Sequence, residues 1–151
     1  MRDISWFCDT EDSRYALTTP WVKDGWQYAT NGHIAVRQPA PEQPNTDDVK
    51  KRPKHIAKDL FPPASCTEPW PVPTGLKTEP LADDDSLHDP RWAISAANTE
   101  IAGRLIAGCY VLLISLLGNV RYDPRGKPHD PLRFSADGIE GTVMPLESRN
   151  T

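Results

Sequence analysis

Two stretches of alternating apolar and polar positions bracket the chain. Trp26-Gln27-Tyr28-Ala29-Thr30 and Ile34-Ala35-Val36-Arg37 lie on either side of Asn31-Gly32-His33, and Leu132-Arg133-Phe134-Ser135-Ala136 and Ile139 to Met144 lie on either side of Asp137-Gly138. Alternation at period two sends successive side chains to opposite faces of a strand, and Asn, Asp and Gly tolerate the positive φ of a tight turn. Both stretches therefore predict β-hairpins. Val120 to Tyr122 adds a strand before the second hairpin, joined to it by the polar loop Asp123 to Asp130.

Between these marks the pattern changes. Ile4 to Asp9 reads as a strand, and Thr10-Glu11-Asp12 offers cap chemistry for a short helix through Thr18, closed by Pro20. Arg91 to Ala96 reads as a strand returning to the body. Ile101, Leu105, Cys109, Leu112, Leu113 and Leu116 recur at spacings of three and four, which predicts one helix, or two short ones meeting near Gly108. Gly118-Asn119 supplies its stop. The whole is an α+β arrangement with antiparallel pairing.

From Pro39 to Pro90 neither period is present. These 52 residues hold 11 of the 16 prolines and a net charge of -4, the whole formal charge of the chain. They read as a long irregular insertion, with a short helix around His55 to Leu60, in a chain of 151 residues that forms one domain. Phe61, Trp70 and Leu76 are the residues able to pin it to the body. Its basic run Lys50-Lys51-Arg52-Pro53-Lys54-His55 reads as balancing the acidic residues around it.

Composition narrows the function classes. A net charge of -4 argues against binding nucleic acid by bulk positive charge. The apolar run Leu105 to Leu117 is broken by Gly108 and falls short of the roughly 20 residues that cross a bilayer. The first residues, Met1-Arg2-Asp3-Ile4-Ser5-Trp6, lack the apolar core of a secretory signal, so no membrane partner and a cytoplasmic location are expected. Cys8, Cys66 and Cys109 are widely spaced and read as free thiols, not as a disulfide framework or a zinc site. His33, His55, His88 and His129 stand in no catalytic frame, and Asp83-Asp84-Asp85 with His88-Asp89 lacks the ligand spacing of a calcium loop. No enzyme, metal or cofactor is expected.

Ala29-Thr30-Asn31-Gly32-His33 resembles the Ala-Thr-Asp-Gly hairpin of bacterial DNA polymerase III β sliding clamps. Pro131-Leu132-Arg133-Phe134, Asp137-Gly138, Glu140-Gly141 and Val143-Met144-Pro145-Leu146 resemble their last hairpin, and Cys109 to Leu117 falls where such domains have a helix. The likeness covers Ile4 to Arg37 and Ile101 to Leu146 and leaves the insertion unmatched. It implies one clamp-like α+β domain, with two short helices packed on antiparallel sheets, and a non-enzymatic protein of replication or repair, either DNA-associated or a peptide-binding adaptor.

Three consequences follow from that resemblance. Helix-borne cations, with Arg14 and Arg104 as candidates and Lys23 near them, would face double-stranded DNA. Thr30, Gly32, His33, Met144, Pro145 and Leu146 would form a cleft for peptide motifs of replication or repair proteins. The family draws these two motifs from adjacent domains of a six-domain ring, so a ring or cleft here would need a homo-oligomer. Ile34 stands where the family often has a basic residue, and Asn31 where it has Asp. The alternative is a small interaction protein of the same fold that encircles no DNA and binds a protein partner, with the Pro-rich segment as its contact surface.

Overall fold

The computed structural model describes residues 3–8, 19–44, 61–78 and 94–146. Its centre is a seven-stranded antiparallel sheet in the order β1-β2-β3-β11-β10-β9-β4. One half is the meander β1 (Trp21–Lys23), β2 (Trp26–Thr30) and β3 (Ile34–Pro39). The other half is β9 (Arg121–Tyr122), β10 (Leu132–Ala136) and β11 (Ile139–Val143), edged by β4 (Glu68–Pro69). The halves join where β11 pairs with β3, with Val143 opposite Ile34 and Glu140 opposite Arg37. Two small antiparallel pairs complete the strands among the described residues: β5 (Lys77–Thr78) with β6 (Ile94–Ser95), and the hairpin of β7 (Thr99–Ile101) with β8 (Arg104–Ile106).

The turns explain the register. Asp137-Gly138 takes φ of 46° and 89° and closes Ala136 against Ile139, as the sequence predicts. The same geometry recurs at Asp24-Gly25 and Ala102-Gly103, neither of which the alternation of apolar positions picks out. At the first predicted hairpin only Gly32 lies at positive φ, at 93°. Asn31 acts through its side chain there, its Oδ1 accepting from the N–H groups of His33 and Ile34 at 2.9 and 3.1 Å.

Two predicted elements are corrected. Ser5–Phe7 is a turn of 3₁₀ helix, not part of a strand; Asp3 accepts from the Ser5 N–H, and Phe7 is driven into the core. The pattern from Ile101 onward is a β-hairpin followed by one eight-residue helix, α1 (Gly108–Ser115). Gly108 marks the change because a Cβ there would sit 1.8 Å from the Ala96 carbonyl oxygen, and Asn98 Oδ1 receives its N–H. α1 is the one α-helix among the described residues. The helix expected from Thr10 to Thr18, that from His55 to Leu60, the Lys50–His55 run and the Asp83–Asp89 run lie outside them, as do residues 91–93 of the expected returning strand.

One face of the sheet carries the main core. Ile34, Val36, Leu132, Phe134, Ile139 and Val143 meet Val111 and Ile114 of α1 together with Ile4 and Phe7. Gly141, opposite Phe134 in the ladder, leaves room for that ring, since a Cβ would lie 2.1 Å from it. The other face carries Trp21, Tyr28 and Ala35 with Phe61 laid over them. Thr142 is also buried on this face, its hydroxyl without a hydrogen-bond partner among the described residues.

Within the Pro-rich segment, the described residues 61–78 have more structure than the sequence suggests. Residues 61–73 run as a strap around the β9 edge, with Thr67 and Trp70 donating to the carbonyls of Tyr122 and Val120. Phe61 closes the second face, while Trp70 packs against the main core and donates through Nε1 to the Val111 carbonyl. Two of the three expected anchors therefore hold; Leu76 does not, being 58% exposed. Among the described residues no helix is long and apolar enough to cross a membrane.

Candidate partner-binding site

The pairing of β3 with β11 decides where the predicted site residues fall. Because Ile34 opposes Val143, the loop Asn31-Gly32-His33 and the segment Met144-Pro145-Leu146 leave the same end of the sheet side by side. The Met144 N–H donates to the His33 carbonyl at 2.9 Å, and the Leu146 N–H donates to the Leu105 carbonyl at 2.8 Å. The two motifs thus meet within one chain, where the resemblance implied a meeting only between domains or subunits.

The loop is held from both sides. Thr30 Oγ1 donates to the Ile34 carbonyl and accepts from the Gly32 N–H, while Asn31 Nδ2 donates to the Tyr110 hydroxyl on α1 at 3.0 Å. Thr30 is consequently buried and positions the loop without facing outward. Gly32 and His33 are exposed at the tip, and Pro145 is half-buried.

The outward side is apolar. Met144 and Leu146 are each 42% exposed, and Leu105, expected on the buried face of a helix, is 46% exposed. Scattered exposed apolar residues are ordinary, but these three lie on segments joined by the Leu146 to Leu105 backbone bond, beside the hydrogen-bonded loop. The signal for Leu105 was the turn at Ala102-Gly103, which makes β8 a strand with Arg104 and Ile106 facing inward and Leu105 outward. A second, largely apolar surface, a cavity of about 290 Å³ lined by Asp3, Trp6, Phe7, Leu113, Leu116 and Leu117, flanks α1.

The expected DNA-facing cations fare differently. Arg104 lies in β8, not on a helix, and is 1% exposed. Its Nε, Nη1 and Nη2 donate to the carbonyls of Asp130, Ala102 and Arg125, and Gly126 is at φ 113° with no space for a Cβ against that guanidinium. It anchors the 123–130 loop from inside and offers no edge to a phosphate. Lys23 is half-buried on the outer strand β1, and Arg14 lies outside the described residues.

The titratable groups elsewhere are tied into structure. Asp123 accepts from Arg125 through Nε and Nη2 at 2.9 and 2.7 Å and from the Ser65 N–H, and these bonds hold its carboxyl well below the usual carboxylate range. Burial pushes the Cys109 and Cys66 thiols up, which disfavours the thiolate. No three His, Cys, Asp or Glu side chains cluster among the described residues. Comparison with protein-family models, curated proteins and solved structures finds no match to the chain.

Proposed function

We propose that this chain is a non-enzymatic adaptor that captures a short apolar peptide segment of a protein partner on the Leu105, Met144 and Leu146 patch. The observation that carries the proposal is the pair of backbone bonds, Met144 to His33 and Leu146 to Leu105, which hold exposed apolar side chains beside a rigid loop. An extended peptide could lie there with apolar anchors on Met144 and Leu146, Met being adaptable in shape. Its backbone would meet the exposed Gly32-His33 tip.

The sliding-clamp resemblance belongs to this proposal, as a precedent for a peptide cleft made from a hairpin tip and a Met-Pro-apolar segment. Peptide capture is favoured over a DNA-encircling role because the donors of Arg104 are committed to internal carbonyls.

The test is a displayed library of short random peptides selected on the full chain, followed by fluorescence polarisation with an enriched peptide. Enriched sequences should share two or more apolar anchors, and Met144→Lys or Leu105→Asp should weaken binding about tenfold or more, as loss of a buried apolar anchor does. Absence of enrichment, or equal binding by both folded variants, contradicts the proposal.

A further inference from the structure

The second face of the sheet contains a site that the peptide patch does not use. Between the strap and strands β3, β10 and β11 lies a cleft of about 360 Å³, a size suited to a small molecule. Phe61, Pro62 and Pro63 form its apolar side, and Arg37 and Arg133 its cationic side.

Both arginines are held in place. The Arg37 Cζ stands 4.1 Å from the centroid of the Trp26 ring and 4.7 Å from that of Phe61, and its Nε donates to Glu140 Oε2 at 2.7 Å. Those contacts fix the guanidinium plane through its faces and its Nε edge, and they leave the Nη edge outside them. Arg133 is buried; its Nε donates to the Gly141 carbonyl at 3.0 Å and its Nη1 to the Pro62 carbonyl. Neither acceptor is charged.

The charges facing the cleft do not cancel. β3 contributes Arg37, β10 contributes Arg133 and β11 contributes Glu140, while the strap contributes Cys66, whose thiol burial keeps neutral. Asp123 is already matched by Arg125. Among the described residues one positive charge is left over, partly desolvated, and such a cation is costly without a counter-charge. A monoanion supplies that charge, whereas a dianion would bring a second negative charge up to Glu140. The apolar side calls for more than a bare ion.

We infer that this cleft binds a small monocarboxylate with an aromatic or apolar body, the carboxylate seated on Arg37 and Arg133 and the body against Phe61 and Pro63. Guanidinium forks match carboxylates in geometry as well as charge. The sheet and the strap pre-arrange them, which lowers the ordering cost of binding.

The experiment is calorimetric titration of the full chain with benzoate, with benzyl alcohol and inorganic phosphate as comparison probes. Benzoate should bind saturably, and each comparison probe about tenfold or more weakly, the effect of losing one charge-assisted contact. Arg37→Gln should weaken benzoate about tenfold, and Glu140→Gln, which removes the competing carboxylate, should tighten it. A pair that only braced the fold would lower stability in both variants without moving affinity in opposite directions. If Arg37→Gln does not fold, the sign of the Glu140→Gln effect still decides. The inference is overturned by no saturable benzoate binding to the folded chain, by equal binding of benzyl alcohol or phosphate, or by unchanged or weakened affinity in Glu140→Gln.

Discussion

The two faces of the central sheet are built from the same strands yet closed by different physics. On one, Val36, Phe134, Ile139 and Val143 are covered by α1, the 3₁₀ turn and Trp70, chiefly with aliphatic and aromatic groups. On the other, the residues between them in sequence, Ala35, Arg37, Arg133 and Glu140, are covered by Phe61 and the strap through stacking, ion pairing and bonds to carbonyls. Apolar burial is non-directional and tolerates any good fit, whereas the second face depends on particular partners at particular distances. The first face stabilises; the second has the polar groups from which selectivity is made.

The largest expected effect lies on the first face. Phe134 is fully buried over Gly141 and packs against Trp70 with ring centroids 5.8 Å apart, so Phe134→Ala should cost about 3–5 kcal/mol in chemical denaturation. A loss below about 1 kcal/mol would mean that the main core is not where the structure puts it.

On the second face, Arg133→Met keeps the volume but leaves the Gly141 and Pro62 carbonyls without their donor. The cost should be smaller, about 1–3 kcal/mol, and should appear first as faster proteolytic cleavage within residues 61–66. Equal protection of the strap in the variant would show that stacking alone holds it.

The smallest effect is one of pH. The folded-state pKa of Asp123 is depressed, so its contribution to stability is present above the ordinary carboxylate pKa of about 4 and is lost as pH falls towards the folded value. Asp123→Asn should therefore lower the melting temperature at neutral pH, with the gap to the unaltered chain closing on acidification. Arg125 is largely solvated, which keeps the difference modest. A gap that widens in acid would contradict the assignment.

These contrasts bear on how far the residues could be read beforehand. The strands flanking Asp137-Gly138 and Asn31-Gly32 were legible because turn chemistry and period-two alternation agree there. The Ile101 to Leu116 run misleads because a two-residue turn at Ala102-Gly103 splits it between a hairpin and a helix, so that Leu105 points outward from β8 and Leu116 is exposed although both fall on the apparent helical period. Arg104 looks like a helix-borne cation in the sequence because nothing local announces that three carbonyls, two of them in the 123–130 loop, satisfy it. Of the candidate site, the two motifs were visible but their adjacency was not. That adjacency depends on the non-local β3 to β11 pairing, and Leu105 enters only with it.

The central claim, that a partner peptide sits on the Met144 patch, is open to one direct measurement. The chain holds two methionines, Met1 and Met144, so a methyl-labelled sample gives a spectrum simple enough to follow Met144 alone. Adding the selected apolar peptide should shift the Met144 methyl in a saturable way, and benzoate, bound at Arg37 and Arg133, should leave it unmoved. A peptide that binds the chain while the Met144 methyl stays where it was would contradict the claim.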